Sequence, residues 1–194
     1  MAKHLTFDEV IEEVKNGQVA IIPTDTLYGI IGLALDKQVV EKVYQLKQRT
    51  PDKPFIILIS SLEDFKLFNI SLSGKTKKFL DQIWPNPVSV VLPCMNDQFF
   101  YLHRGIKSLA FRLPKNKNLL KLLKQTGPLI APSANPEGLP TPETLNQAIA
   151  YFGEQVKFYV DGGTLTSQPS TLIKLENDQV VVLRQGAYKI ITGF

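Results

Sequence analysis

The sequence predicts an α/β fold: a single domain over residues 1–194, with helices flanking a mixed sheet. Three observations carry this reading. Short apolar runs alternate with segments of helical period to the end of the chain. No long linker, repeat or low-complexity stretch interrupts them. The last apolar stretch reads as a hairpin, which makes the sheet partly antiparallel.

Taken in order, Thr6-Phe7-Asp8-Glu9 has the form of a capping box. Phe7, Val10, Ile11 and Val14 then recur at helical spacing, and Asn16-Gly17 stops that helix. Val19 to Ile22 is a short buried strand running into a polar turn, Pro23-Thr24-Asp25-Thr26-Leu27-Tyr28-Gly29. A second helix carries Val39, Val40, Val43, Tyr44 and Leu46 and ends near Thr50, which Pro51 pushes out of helical geometry. Phe55 to Ile59 is a strand, Ser61 caps a short helix, and a longer helix runs from Ser73 to Trp84. Val88–Leu92 and Leu109–Leu113 are strand-like, Lys117–Gln125 is helical, and Leu129–Ala131 is a strand feeding Ser133-Ala134-Asn135. Thr141-Pro142 reads as a cap followed by proline at the first helical position. Val156–Val160 is a strand, and Ser170–Arg184 is the hairpin, turning at Asn177-Asp178.

Composition narrows the chemistry. The chain has 194 residues, 44% of them hydrophobic, enough to bury a full core. No apolar run reaches membrane-spanning length, and Met1-Ala2-Lys3-His4 leads straight into an amphipathic segment without the form of a signal peptide. A single Cys94 rules out an internal disulfide and fits a reducing cytoplasm. Two His and one Cys make neither a zinc site of standard spacing nor a convincing Cys–His pair, so no metal ligand is assigned. The net charge of +4 favours anionic partners, yet 18 acids balance the 22 cations. Only four of those cations are Arg, at positions 49, 104, 112 and 184. Such sparing use points to places that need a flat, permanently charged fork. Arg49, Arg112 and Arg184 adjoin apolar runs or turns, and Arg104 is the exception.

Two polar pieces stand at the ends of apolar runs. Lys47-Gln48-Arg49 supplies two cations, with Lys53 following. Lys47 and Arg49 share no helix face, so they reach one ligand only if the chain leaves the helix by Arg49. Otherwise they simply offset the helix dipole. Ser133 and Asn135 follow a strand, and both face one way if extended geometry continues. Their hydroxyl and amide suit phosphate oxygens or a purine edge. An ordinary turn is the plainer reading. Asp25 reads as a solvated turn acid, and Gly74-Lys75-Thr76 as a helix start, because the phosphate-loop glycine is replaced by Asn69.

In chain order, the segments Pro23–Gly29, Lys47-Gln48-Arg49 with Lys53-Pro54, Trp84-Pro85-Asn86-Pro87, Phe111-Arg112-Leu113-Pro114, Pro132-Ser133-Ala134-Asn135 with Gly138, Asp161-Gly162-Gly163, Pro169-Ser170-Thr171 and Leu183-Arg184-Gln185-Gly186 resemble the YrdC-type threonylcarbamoyl-AMP synthases over nearly the whole chain. The resemblance implies a twisted sheet with a concave basic cavity. It also implies a nucleotidyltransferase reaction, in which L-threonine, bicarbonate or CO₂, and ATP give threonylcarbamoyl-AMP and pyrophosphate. A downstream threonylcarbamoyl transferase complex then modifies tRNA, with direct tRNA contact possible. By the same resemblance, threonine contacts fall on Thr26, Arg112, Ala131 and Ser170. ATP contacts fall on Arg49, Lys53, Ser108, Ser133, Asn135, Thr141 and Arg184. Lys47 and Arg49 are the candidate catalytic cations, and Mg²⁺ accompanies ATP without a dedicated protein cage.

Four residues depart from the family pattern: Asn86 for Gly, Ser89 for Thr, Glu137 for a small hydroxyl residue, and Leu58 where some members place His. The chain also ends at Phe194, without the extra C-terminal domain of longer relatives. Two other readings compete. One is a non-catalytic RNA-binding or ribosome-assembly protein, against which stands the lack of interleaved aromatic residues. The other is a carbamoyl-transfer domain, of a kind that sits in longer chains.

Overall fold

The computed structural model describes residues 2–176 and 179–190. Along these the strands are β1 (Lys3–Leu5), β2 (Ala20–Pro23), β3 (Tyr28–Leu33), β4 (Ile56–Leu58), β5 (Val88–Pro93), β6 (Ser108–Arg112), β7 (Leu129–Ile130), β8 (Phe158–Val160), β9 (Thr171–Glu176) and β10 (Gln179–Arg184). The helices are α1 (Phe7–Lys15), α2 (Lys37–Lys47), α3 (Gly74–Ile83), α4 (Phe100–His103), α5 (Lys117–Thr126) and α6 (Leu145–Phe152), with short 3₁₀ segments at Leu62–Phe68, Asp97–Phe99 and Gly153–Gln155. The strands form one sheet in the order β1-β8-β2-β3-β7-β4-β6-β5-β9-β10. No described helix is long and apolar enough to cross a membrane.

The sheet is mixed, as expected, but not for the expected reason alone. Besides the β9–β10 hairpin, β2–β3, β3–β7, β4–β7 and β5–β6 are antiparallel. The parallel ladders are β1–β8, β2–β8, β4–β6 and β5–β9. The polar turn after β2 is thus a hairpin connection into β3. Tyr28-Gly29-Ile30-Ile31-Gly32-Leu33 has no clean alternation to advertise a strand, since it is buried on both faces. β1, α4 and β3 were not legible in the sequence, and the turn at Asn177-Asp178 lies outside the described residues.

Local chemistry accounts for the helix ends. The Thr6–Glu9 capping box forms, and Ser73 caps α3 as its hydroxyl accepts from Thr76 N–H. α2 ends earlier than expected, at Lys47, because Gln48 turns left-handed (φ 49°). α6 starts at Leu145 and not at Pro142. The capping box there is Thr144 with Gln147, which outcompetes the Thr141-Pro142 signal.

Alternate residues of each strand face opposite sides, so register fixes what each face carries. One face presents Ile21, Ile30, Ile57, Ile130, Phe111, Val90 and Ile173 to α2, α3, α4 and α6. The other presents Ala20, Ile22, Ile31, Leu58, Leu129, Phe158 and Val160 to Val10, Ile11 and Val14 of α1 and Leu119, Leu122 and Leu123 of α5. This second core stops at Leu58 of β4. Leu58 pairs with Arg112, and Leu172 pairs with both Ser89 and Arg184. The same face therefore continues beyond the two helices into a polar surface.

Gly32 illustrates how tightly α2 sits on the sheet. A Cβ built there would lie 2.4 Å from Val39 Cγ1. Gly32→Ala should lower unfolding free energy by about 1–3 kcal/mol through overpacking, read as an earlier urea midpoint with unchanged slope. An unchanged midpoint would show that the helix yields without cost.

Candidate active site

Where the second core stops, the sheet face forms a recess of ≈ 230 Å³, or ≈ 780 Å³ with its open mouth included. Its walls come from five places: the turn after β2, the loop after α2, the end of β6, the segment after β7, and the open end of the β9–β10 hairpin, where β9 starts and β10 ends. Register explains the convergence. Gly29 bridges to Ser133, Leu58 pairs with both Arg112 and Leu129, and Arg184 pairs with Leu172.

Arg112 is buried. Its Nη2 stands 3.0 Å from Asp25 Oδ1, both side chains nearly inaccessible, and its Nη1 donates to Thr26 Oγ1 at 3.4 Å. Its Nε has no hydrogen-bond partner among the described residues. Burial pushes the Arg112 guanidinium below its usual value, Asp25 opposes that shift, and the charge of Arg184 adds to it. The expectation of a solvated Asp25 is therefore wrong. The Thr24 hydroxyl accepts from the N–H groups of Thr26 and Leu27 (3.2 Å each), and the resulting tight turn directs Asp25 inward.

Arg184 donates to the Ser170 carbonyl from Nη2 at 2.8 Å, and burial lowers its value too. Ser170 Oγ lies 2.9 Å from Ser89 Oγ, so the small hydroxyl at position 89 keeps a buried partner. Gly186 makes this junction possible: a Cβ there would fall 2.1 Å from the Pro169 carbonyl oxygen. Tyr28 lines the recess, and its hydroxyl accepts from Gly162 N–H and donates to the Gly163 carbonyl, both at 2.8 Å. Any side chain at Gly162 would strike Pro23, with Cβ to Cβ at 2.4 Å.

Arg49 has left the helix and lines the recess. Its Nε donates to the Lys53 carbonyl at 2.9 Å, and its guanidinium lies over Phe55 at 5.4 Å from the ring centroid. Phe55 stacks on Tyr44, whose far face carries Arg104 at 4.0 Å, and Arg104 pairs with Glu41 at 2.9 Å. Arg104 is thus as firmly placed as the other three arginines, contrary to its reading as the exception.

Of the sequence-assigned residues, Thr26, Arg49, Arg112, Ala131, Ser133, Thr141, Ser170 and Arg184 line the recess together. Lys47, Lys53, Ser108 and Asn135 do not. Ser108 shares the face of Arg112 but starts the strand that Arg112 ends, roughly 13 Å away. Lys53 is held by Glu137 at 2.6 Å. Extended geometry does not continue through Asn135. The Asn135 N–H turns back to the Ser133 carbonyl, and its side-chain amide donates to the carbonyls of Pro136 and Leu139. Lys47 is buried, and its ammonium donates to the carbonyls of Ser133 (2.6 Å) and Asn135 (2.5 Å). Its geometry is that of a brace for the Ser133 segment, not of a group facing a ligand. Thr24, Asp25 and Tyr28 were missed. The signal available was a hydroxyl–acid–hydroxyl run at the end of a buried strand.

Burial, then the nearby Arg49 charge, lowers Lys47 to about 7, with Glu137 opposing. The unfolded chain therefore binds the extra proton between about 7 and 10.5, so this group adds stability as pH rises through that window. Lys47→Met should flatten the slope of unfolding free energy between pH 7 and 9. It should also cost about 1–3 kcal/mol from two orphaned carbonyls. A mutant with the wild-type slope would refute the assignment.

Comparison with known proteins places this geometry. Residues 12–186 match the model of the Sua5/YciO/YrdC family, whose description reads "Telomere recombination". The chain is 31% identical over 175 residues to the threonylcarbamoyl-AMP synthase of Pyrococcus abyssi, covering 89% of this chain and 52% of the relative. It is 30% identical over 176 residues to the threonylcarbamoyl-AMP synthase of Bacillus subtilis, covering 89% and 51%. The chain thus spans about half the length of these two relatives. The structure of P. abyssi Sua5 complexed with L-threonine superposes with a TM-score of 0.83 at 27% identity, covering 96% of this chain and 57% of that one. With its motifs gathered around one recess and nine-tenths of its length matched, the chain belongs to the Sua5/YciO/YrdC family.

Proposed function

We propose that the protein is an L-threonylcarbamoyladenylate synthase serving threonylcarbamoyladenosine modification of tRNA. The observation that carries this reading is a recess with Arg49, Arg112 and Arg184 on its walls, where a buried carboxylate, Asp25, is paired with Arg112. Such a site has positive charge to spare and little apparatus for covalent catalysis. Its hydroxyls (Thr26, Ser133, Thr141, Ser170) and apolar patches (Leu27, Ile56, Ala131) suit a small hydroxy amino acid beside phosphates. The relatives' printed names and the threonine complex of P. abyssi Sua5 support the same assignment.

In this reading the threonine carboxylate meets Arg112, whose Nε has no hydrogen-bond partner among the described residues, while Thr26 and Ser170 receive the rest of the amino acid. The neutral amine adds to CO₂ and releases a proton to solvent, or condenses with bicarbonate and releases water, in either case giving an N-carboxylate. That carboxylate oxygen attacks the ATP α-phosphorus, and the bond to the β-phosphate oxygen breaks, releasing pyrophosphate. The N-carboxylate and ATP are both anionic. The chain's work is to offset their repulsion and hold the attack in line, with Arg49 and Arg184 on phosphate oxygens and Ser133 and Thr141 donating beside them. Lys47 acts by bracing Ser133 and does not touch the phosphorus. Mg²⁺ bound to the ATP phosphates would neutralise charge there. Among the described residues no group of three or more His, Cys, Asp or Glu gathers as a cage, and Asp25 forms an ion pair with Arg112 through one oxygen. The lone, buried Cys94 fits a cytoplasmic setting, and the adenylate passes to a separate transferase that modifies tRNA.

Incubation with ATP and bicarbonate should give a threonine-dependent adenylate by mass spectrometry, with one pyrophosphate per adenylate. Salt-sensitive RNA binding without ATP consumption would overturn the reading. Arg112→Lys should raise the threonine KM by about tenfold or more, because a forked charged contact is lost, and should change the ATP KM far less. Equal effects on both would remove Arg112 from the threonine subsite.

A further inference from the structure

Glu137 occupies an unusual position. Its Oε2 accepts from the Thr50 N–H (2.7 Å) and the Thr50 hydroxyl (2.8 Å), and its Oε1 accepts from Lys53 Nζ (2.6 Å). Its own N–H donates to the Lys47 carbonyl at 2.7 Å. The carboxylate therefore ties the loop after α2 to the segment after β7. These two stretches also carry Arg49 and Pro54 on one side of the recess and Ser133 and Thr141 on the other. Lys53 follows Arg49 by four residues yet does not line the recess, because its ammonium is turned onto Glu137.

The loop does not need that contact for its shape. The Lys53 carbonyl accepts from Tyr44 Oη at 3.0 Å and Arg49 Nε at 2.9 Å, and Lys53 N–H donates to the Thr50 carbonyl at 3.2 Å. The Lys53 side chain is half exposed, so it can swing while its main chain stays pinned. The hydrogen bonds from the Lys53 ammonium and from the Thr50 N–H and hydroxyl hold the Glu137 carboxylate down to about 2, so it stays an anion at any physiological pH. Glu137 thus presents to Lys53 what a phosphate oxygen would present.

We propose that Glu137 is an affinity-setting residue for nucleotide: an internal anion that occupies Lys53 and is displaced from it by the incoming polyphosphate. The inference rests on the adenylate-forming reading. It makes ATP affinity an exchange of one anion for another at Lys53, while leaving threonine binding untouched.

Calorimetric titration of the whole chain with ATP–Mg²⁺ tests it. In Glu137→Gln the remaining carbonyl oxygen can still accept from Thr50, but Lys53 loses its counter-ion. ATP should bind about two- to fivefold tighter, the range an exposed ion pair supports, with threonine affinity unchanged. In a Lys53→Met background the same Glu137→Gln change should have no effect on ATP. This readout separates competition from mere loop support, and thermal melts confirm that each variant folds. Equal or weaker ATP binding by Glu137→Gln, or an effect that persists without Lys53, overturns the role of Glu137 alone. Absence of ATP binding by the wild-type protein overturns the adenylate reading and this inference with it.

Discussion

The site depends on one buried ion pair, Arg112 with Asp25. A guanidinium and a carboxylate taken out of water each carry a desolvation penalty of several kcal/mol, which their mutual attraction offsets only in part when neither Asp25 oxygen has a hydrogen bond among the described residues. Here the carboxylate engages only one end of the fork, and a second guanidinium, Arg184, stands close enough to oppose it. The pair is stable enough to exist and still short of negative charge. On the proposed function, a ligand carboxylate would supply what is missing.

Around that pair the structure fixes loops through their main chains rather than through apolar packing. Lys47 holds the carbonyls of Ser133 and Asn135, and Tyr28 ties the glycines of Asp161-Gly162-Gly163. Arg184 and Thr171 lock the Pro169–Gly186 junction: Arg184 donates to the Ser170 carbonyl, and Thr171 Oγ1 accepts from the Gly186 N–H at 3.0 Å. Tyr28 and Arg184 brace while lining the recess themselves, and Lys47 and Thr171 brace from outside its lining. The same logic explains the sequence departures. Asn86 donates to the Ile83 carbonyl at 2.8 Å and so closes the end of α3. Leu58 belongs to the core beneath α1 and α5, outside the recess. Ser89 keeps the buried contact to Ser170.

Much of the fold was legible because its signals are local. Capping boxes, Pro and Gly punctuation and helical period located α1, α2, α3 and α5 to within a few residues. The strands that were missed carry no such mark. β3 is buried on both faces, and β1 is three residues whose identity as a strand comes only from pairing with β8. At the site, the ordered motifs identified eight residues that do converge. What they could not separate was facing a ligand from bracing a wall. Lys47 and Arg49 look alike in sequence. A left-handed Gln48 between them sends one into the core and the other to the recess. Asp25 was misread because a turn acid is ordinarily solvated, and only its partner, 87 positions away, changes that.

The most direct test of this account is a crystal structure with L-threonine and a non-hydrolysable ATP analogue. The account predicts the threonine carboxylate on Arg112, its side chain among Thr26, Ala131 and Ser170, and the phosphates between Arg49 and Arg184, with the α-phosphorus toward the amine. A ligand bound elsewhere, or a recess in which Arg112 remains closed on Asp25 and touches neither molecule, would contradict it.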